Sequence, residues 1–152
     1  MFTLNDLLDI AIKMETNGEA IYRQAAARVK NEKLRTLMEW MADEENRHRQ
    51  WFQNQKQAWK KDLGKTEPNG IPGGILHEMM GDKGLSLDDV DLTTLTTPAE
   101  LLEAFIEFET DSLLFYDFME AFVHENAKEG LQRIQAEEKK HVAALRNMLA
   151  AL

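Results

Sequence analysis

At roughly 150 residues per domain, a chain of 152 residues makes one domain. Hydrophobic residues at 43% and charged residues at 30% exclude a disordered tail, and apolar runs of only a few residues fall far short of the ~20 that span a bilayer. A net charge of -9 argues against nucleic acid and anionic membranes as partners, while the absence of cysteine excludes disulfides, thiolate metal sites and iron–sulfur centres within these residues.

The opening MFTLNDLLDI lacks the basic stretch of a signal peptide, so a cytoplasmic protein is expected. Leu4, Leu7, Leu8, Ala11, Ile12, Tyr22, Ala25 and Ala26 recur at helical spacing and predict a first helix from about 4 to 29, with Thr3 and Asp6 able to cap its start. Asn31 marks a turn. Leu34, Leu37, Met38, Met41 and Phe52 then make the stripe of a second helix to about 61, antiparallel to the first because the turn is short. Most of the glycine and proline lies between Gly64 and Pro98, so residues of about 62 to 97 read as a connector, with a short helix near Ile75 to Met80.

Thr97-Pro98-Ala99-Glu100 is a helix start, with a cap residue, proline at the first helical position and glutamate at the third. A third helix is expected to about Val123, with Leu101, Leu102, Phe105, Phe108, Leu113, Tyr116, Met119 and Phe122 on its stripe. After a turn near Glu125 and Asn126, a fourth helix to about 151 carries Leu131, Ile134, Leu145, Met148 and Leu149. The fold class is therefore all-α: a four-helix bundle in one domain over 1–152, made of a hairpin of about 4–61, a crossover connector of about 62–97 and a hairpin of about 98–151. About 35 connector residues are enough to run the length of a bundle of ~38 Å, which lets the second and third helices run parallel.

The two hairpins repeat each other. METNGEAIY at 14–22 matches FETDSLLFY at 108–116, and EENRH at 44–48 matches EEKKH at 137–141. Glu15 continues the apolar stripe of Leu8, Ala11 and Ile12, and Glu45 with His48 lies between Met41 and Phe52. Glu109 falls between Phe105 and Tyr116, and Glu138 with His141 between Ile134 and Leu145. Six polar side chains thus point into one apolar interior from four helices. Buried carboxylates must be protonated, paired or bound to cations, and no lysine or arginine falls clearly on these stripes. Two divalent cations at +4 balance four glutamates at -4 with two neutral histidines. On this reading each Glu-x-x-His pair holds one ion from one helix, and Glu15 and Glu109 bridge both ions.

Tyr22 and Tyr116 each follow a stripe glutamate by two turns, as core phenols or as hydrogen-bond donors to a ligand carboxylate. His77 and His124 are expected at the surface or as caps. Trp40, Trp51 and Trp59, with Met14, Met38, Met41, Met119 and Met148, are expected to serve packing or an interface.

On these motifs, which span both hairpins, the chain resembles the ferritin-like di-iron carboxylate superfamily and, more narrowly, the rubrerythrin-like proteins. The resemblance implies that Glu15, Glu45, His48, Glu109, Glu138 and His141 are the ligands of two iron ions, with manganese, mixed manganese and iron, or zinc as alternative occupants. It implies a di-iron oxidoreductase that reduces hydrogen peroxide or dioxygen; the alternatives are a ferroxidase or iron-storage protein, and a partner-binding bundle whose site is zinc-filled or inactive. Two features depart from the family pattern. Ser112 stands where rubrerythrins carry a further glutamate, so their redox-linked iron shift is not carried over, and no rubredoxin-like cysteines are present, so a separate electron-donor protein is expected. An acidic bundle of long helices is expected to form a homodimer.

Overall fold

The computed structural model describes residues 3–61 and 94–152, with side chains for 3–58 and 94–152. Four helices are found among them: α1 (Leu4–Arg28), α2 (Glu32–Lys61), α3 (Pro98–Glu120) and α4 (Glu125–Ala150). The expected short helix at 75–80, His77 and the side chain of Trp59 lie outside the described residues.

The helix ends follow from local chemistry. The Thr3 hydroxyl accepts from the Asp6 amide at 3.1 Å and the Asp6 carboxylate accepts from the Thr3 amide at 2.8 Å, the reciprocal pair expected for this start. The Asn31 side chain accepts from the Leu34 amide at 3.1 Å and opens α2. Thr97 caps α3 through the Glu100 amide, but the Glu100 carboxylate reaches back to the amide of Thr96. α3 ends at Glu120, three residues before the expected Val123. The amides of Ala121 and Phe122 bond three residues back, to Phe118 and Met119, which tightens the chain into the turn before α4.

The helix directions can be read from side-chain contacts. Tyr22 meets Glu109 and Tyr116 meets Glu15, so α1 and α3 are antiparallel. His48 meets Glu138 and His141 approaches Glu45, so α2 and α4 are antiparallel as well. With each hairpin antiparallel within itself, α2 and α3 run parallel; most of the expected connector lies outside the described residues.

The apolar stripes form two clusters. One gathers Leu7, Leu8, Met14, Phe52, Phe115 and Leu131 with their neighbours, and the other gathers Ala25, Leu34, Met38, Leu102, Phe105 and Leu145. Each draws on both hairpins, so burial of these side chains at about 1.5–3 kcal/mol each welds the halves together. Close approach of α4 to α2 depends on Gly130, where an added Cβ would lie 2.6 Å from the Trp51 indole. Gly130→Ala is expected to destabilise the protein by about 1–2 kcal/mol, because the clash outweighs alanine's helix preference. A thermal melt reads this as a Tm lower by roughly 2–8 °C; an unchanged or higher Tm would show that Trp51 yields freely.

Candidate metal centre

All six expected ligands meet in the interior. Glu15 from α1, Glu45 and His48 from α2, Glu109 from α3, and Glu138 and His141 from α4 are each no more than 2% exposed. Buried charge of this density is unusual, because each isolated ionised carboxylate costs several kcal/mol to desolvate. Among the described residues no lysine or arginine is buried to balance it.

The two imidazoles lie roughly parallel, 5.9 Å apart, and both turn Nδ1 toward the carboxylates. Glu138 lies between them: Oε1 is 3.0 Å from Nδ1 of His48, and Oε2 is 3.3 Å from Nδ1 of His141. Glu15 approaches His48 at 3.6 Å, while Glu109 and Glu45 approach His141 at 3.6 and 3.7 Å. Two overlapping sets of potential ligands result, Glu15, Glu45, His48 and Glu138 in one and Glu45, Glu109, Glu138 and His141 in the other. The shared members are Glu45 and Glu138. In this grouping the Glu-x-x-His carboxylates, rather than Glu15 and Glu109, are common to both sets, and Glu15 and Glu109 each belong to one.

The donor set fits a pair of cations. Buried atoms without a hydrogen-bond partner include one oxygen each of Glu15, Glu45, Glu109 and Glu138 and both ring nitrogens of His141. The remaining such oxygen, on Glu44, is ion-paired with Arg47. Burial alone would lower the pKa of His48, but Glu138 and Glu15 overcome it and push the ring up to about 11. His141, likewise opposed by burial, is raised to about 10 by Glu109 and Glu138. Burial and neighbouring carboxylates push Glu45 well above the usual carboxylate range and Glu109 up to about 7.

The tyrosines donate to the candidate ligands, and the bonds cross between the hairpins. Tyr22 of α1 donates to Glu109 of α3 at 2.5 Å, and Tyr116 of α3 donates to Glu15 of α1, so neither serves the glutamate on its own helix. Burial and the facing carboxylates raise both phenols well above their usual pKa, which keeps them neutral donors. Ser112 is buried and donates to the Phe108 carbonyl at 2.9 Å, so no carboxylate is supplied at that position. In the other half Gly18 takes the same place, and a Cβ there would lie 3.0 Å from a Glu45 oxygen.

Two acids near the centre were not singled out by the sequence. Glu137, the first acid of EEKKH, meets the outer nitrogen of His48, and Glu44, the first acid of EENRH, gathers beside them. The repeated acid pair was the available signal. Trp40, expected as packing, is 41% exposed yet lies nearly perpendicular to His141 at 5.1 Å. Trp51 packs on Phe52, and Met14, Met38, Met41 and Met119 are buried as expected. His124 is exposed at the N-cap position of α4. Glu19, one turn from Glu15, takes its partners from Arg23 and Arg49 outside the centre.

Comparison with known proteins bears on the fold. The rubrerythrin family model matches residues 6–72, which include the first tyrosine and three of the six buried candidate ligands. No protein of curated function matches. A protein from Thermotoga maritima described as ferritin-like and diiron-carboxylate shares the fold with a TM-score of 0.77 at 22% identity, over 98% of this chain and 95% of that one. A hypothetical protein from Pyrococcus furiosus superposes with a TM-score of 0.74 at 24% identity, over 98% of this chain and 89% of that one. The chain has the ferritin-like fold.

Two predictions follow the sharing of ligands and protons. His141→Ala should leave one ion per chain, whereas Glu138→Ala should weaken both and Glu19→Ala neither; metal analysis after equilibrium dialysis distinguishes these, and equal loss in the first two would contradict shared Glu138. Because His48 and His141 are protonated at pH 7 and must be neutral to bind, loading two ions should release at least two protons. Affinity should then rise about tenfold per pH unit for each ion below about pH 10. Calorimetry in buffers of different ionisation enthalpy measures the release, and none would show that the imidazoles are not displaced.

Proposed function

We propose that this rubrerythrin-like chain of ferritin-like fold is a di-iron oxidoreductase that reduces hydrogen peroxide, with dioxygen as the second candidate substrate. The observation that carries the reading is the pair of four-residue ligand sets sharing Glu45 and Glu138. Glu15, Glu45, His48 and Glu138 would hold one iron and Glu45, Glu109, His141 and Glu138 the other. Bound there, two ferrous ions supply the two electrons that convert peroxide and two protons to two waters.

The chain's own residues shape that reaction. Glu45 and Glu138 each offer two oxygens, so they can span two cations and keep them at a fixed separation. Tyr22 and Tyr116 each hold one oxygen of Glu109 and Glu15, leaving the second oxygen for a cation and restricting carboxylate rotation. The histidines contribute one nitrogen each, a neutral ligand that retains iron without adding negative charge. Apolar clusters drawn from both hairpins flank the centre and limit bulk water around it.

Electrons that return the centre to its ferrous state would come from a donor protein outside these cysteine-free residues. No helix among the described residues is long and apolar enough to cross a membrane; a cytoplasmic setting and a homodimer are part of the proposal.

Stopped-flow absorbance of anaerobically Fe(II)-loaded protein, mixed separately with peroxide and dioxygen, tests the reaction. Oxidation of two irons per chain, much faster with peroxide, is the expected outcome. A faster reaction with dioxygen would replace this reading with a ferroxidase or oxidase, and no reaction with either would favour a zinc-filled or structural site.

A further inference from the structure

We propose that the two metal positions are unequal, and that Glu137 is the positioning residue that makes the His48 position the tighter one. The inference rests on the two-metal reading and concerns how the chain divides affinity between its ions.

A histidine that binds through Nδ1 carries its proton on Nε2, and in a buried setting that N–H needs an acceptor. His48 has one: Nε2 donates to the Glu137 carboxylate at 2.5 Å, fixing the ring with Nδ1 inward and strengthening it as a ligand. His141 has none among the described residues. Its Nε2 is buried without a hydrogen-bond partner, and the neighbouring aromatic group is the indole of Trp40, whose only polar atom is a donor.

The duplication would be expected to give both rings the same support, because Glu44 occupies in the first half the place of Glu137 in the second. Two local differences break that equivalence. Glu44 pairs with Arg47 on its own helix and lies with Glu137 around the outer side of His48, not His141. Trp40 covers His141, whereas the matching residue of the other half is Arg133, which faces Glu129 at 3.9 Å. Glu137 therefore supports His48 with Glu44 beside it, and His141 is left with an aromatic cover.

Loss of such a supporting carboxylate costs about 10–100-fold in metal affinity at other sites, which sets the size of the difference expected here. Anaerobic titration of the metal-free full chain with Co(II), followed by visible absorption and calorimetry, reads the two positions in turn. Two steps separated by roughly 10-fold or more are expected, and Glu137→Ala should weaken the first by about 10–100-fold while sparing the second. Glu137→Gln keeps an acceptor and should recover most of the loss, which a general folding defect would not allow. His141→Ala should retain the tight step and His48→Ala should remove it. Equal steps in the unaltered chain, an unchanged first step in Glu137→Ala, or loss of the tight step in His141→Ala would overturn the inequality while leaving a two-metal centre in place. Failure to bind Co(II) at all would overturn the two-metal reading, and this inference with it.

Discussion

Four carboxylates at the centre of an apolar bundle are the constraint to which the rest of the structure answers. A domain of this size is stable by about 5–15 kcal/mol, and each uncompensated buried charge would cost several. The interior must therefore hold positive charge, as protons or as cations. Burial and the clustered carboxylates push both histidines, Glu45 and Glu109 toward their protonated forms, while several carboxylate oxygens keep no hydrogen-bond partner. Cation binding and folding thus draw on the same groups.

The fold gives this centre rigid walls. Ligands come from the middle of long helices, so each is held by turns of hydrogen-bonded backbone on both sides, and the apolar clusters above and below are shared between hairpins. Gly18 and Gly130 mark where the helices approach too closely for a side chain, one beside Glu45 and the other against Trp51. Stability and ligand geometry are consequently set by the same packing.

The sequence showed the helices and the six inward-facing polar residues, because an acid on an apolar stripe conflicts with its neighbours and a repeated conflict is hard to mistake. It did not show which acids are shared. Spacing of three along a helix puts Glu138 and His141 on one face, but the lie of each carboxylate oxygen between two imidazoles depends on how four helices converge. The tyrosine partners were hidden for a similar reason: Tyr22 shares a face with Glu15, yet its phenol crosses to the antiparallel helix carrying Glu109. Glu137 was less legible still, since it lies on the flank of its helix, part-exposed, and acts on a ring 89 positions away.

The crossed pairs of Tyr22 with Glu109 and Tyr116 with Glu15 have the form of an isologous interface, in which one residue meets a second and the equivalents meet in return. A symmetric dimer of a single hairpin would have this seam, and here its two protomers are one covalent chain. Fusion removes the requirement that every change appear on both sides. The pairs Trp40 with Arg133 and Gly18 with Ser112 are differences a true two-fold assembly could not have held, and they are where the two halves are free to specialise.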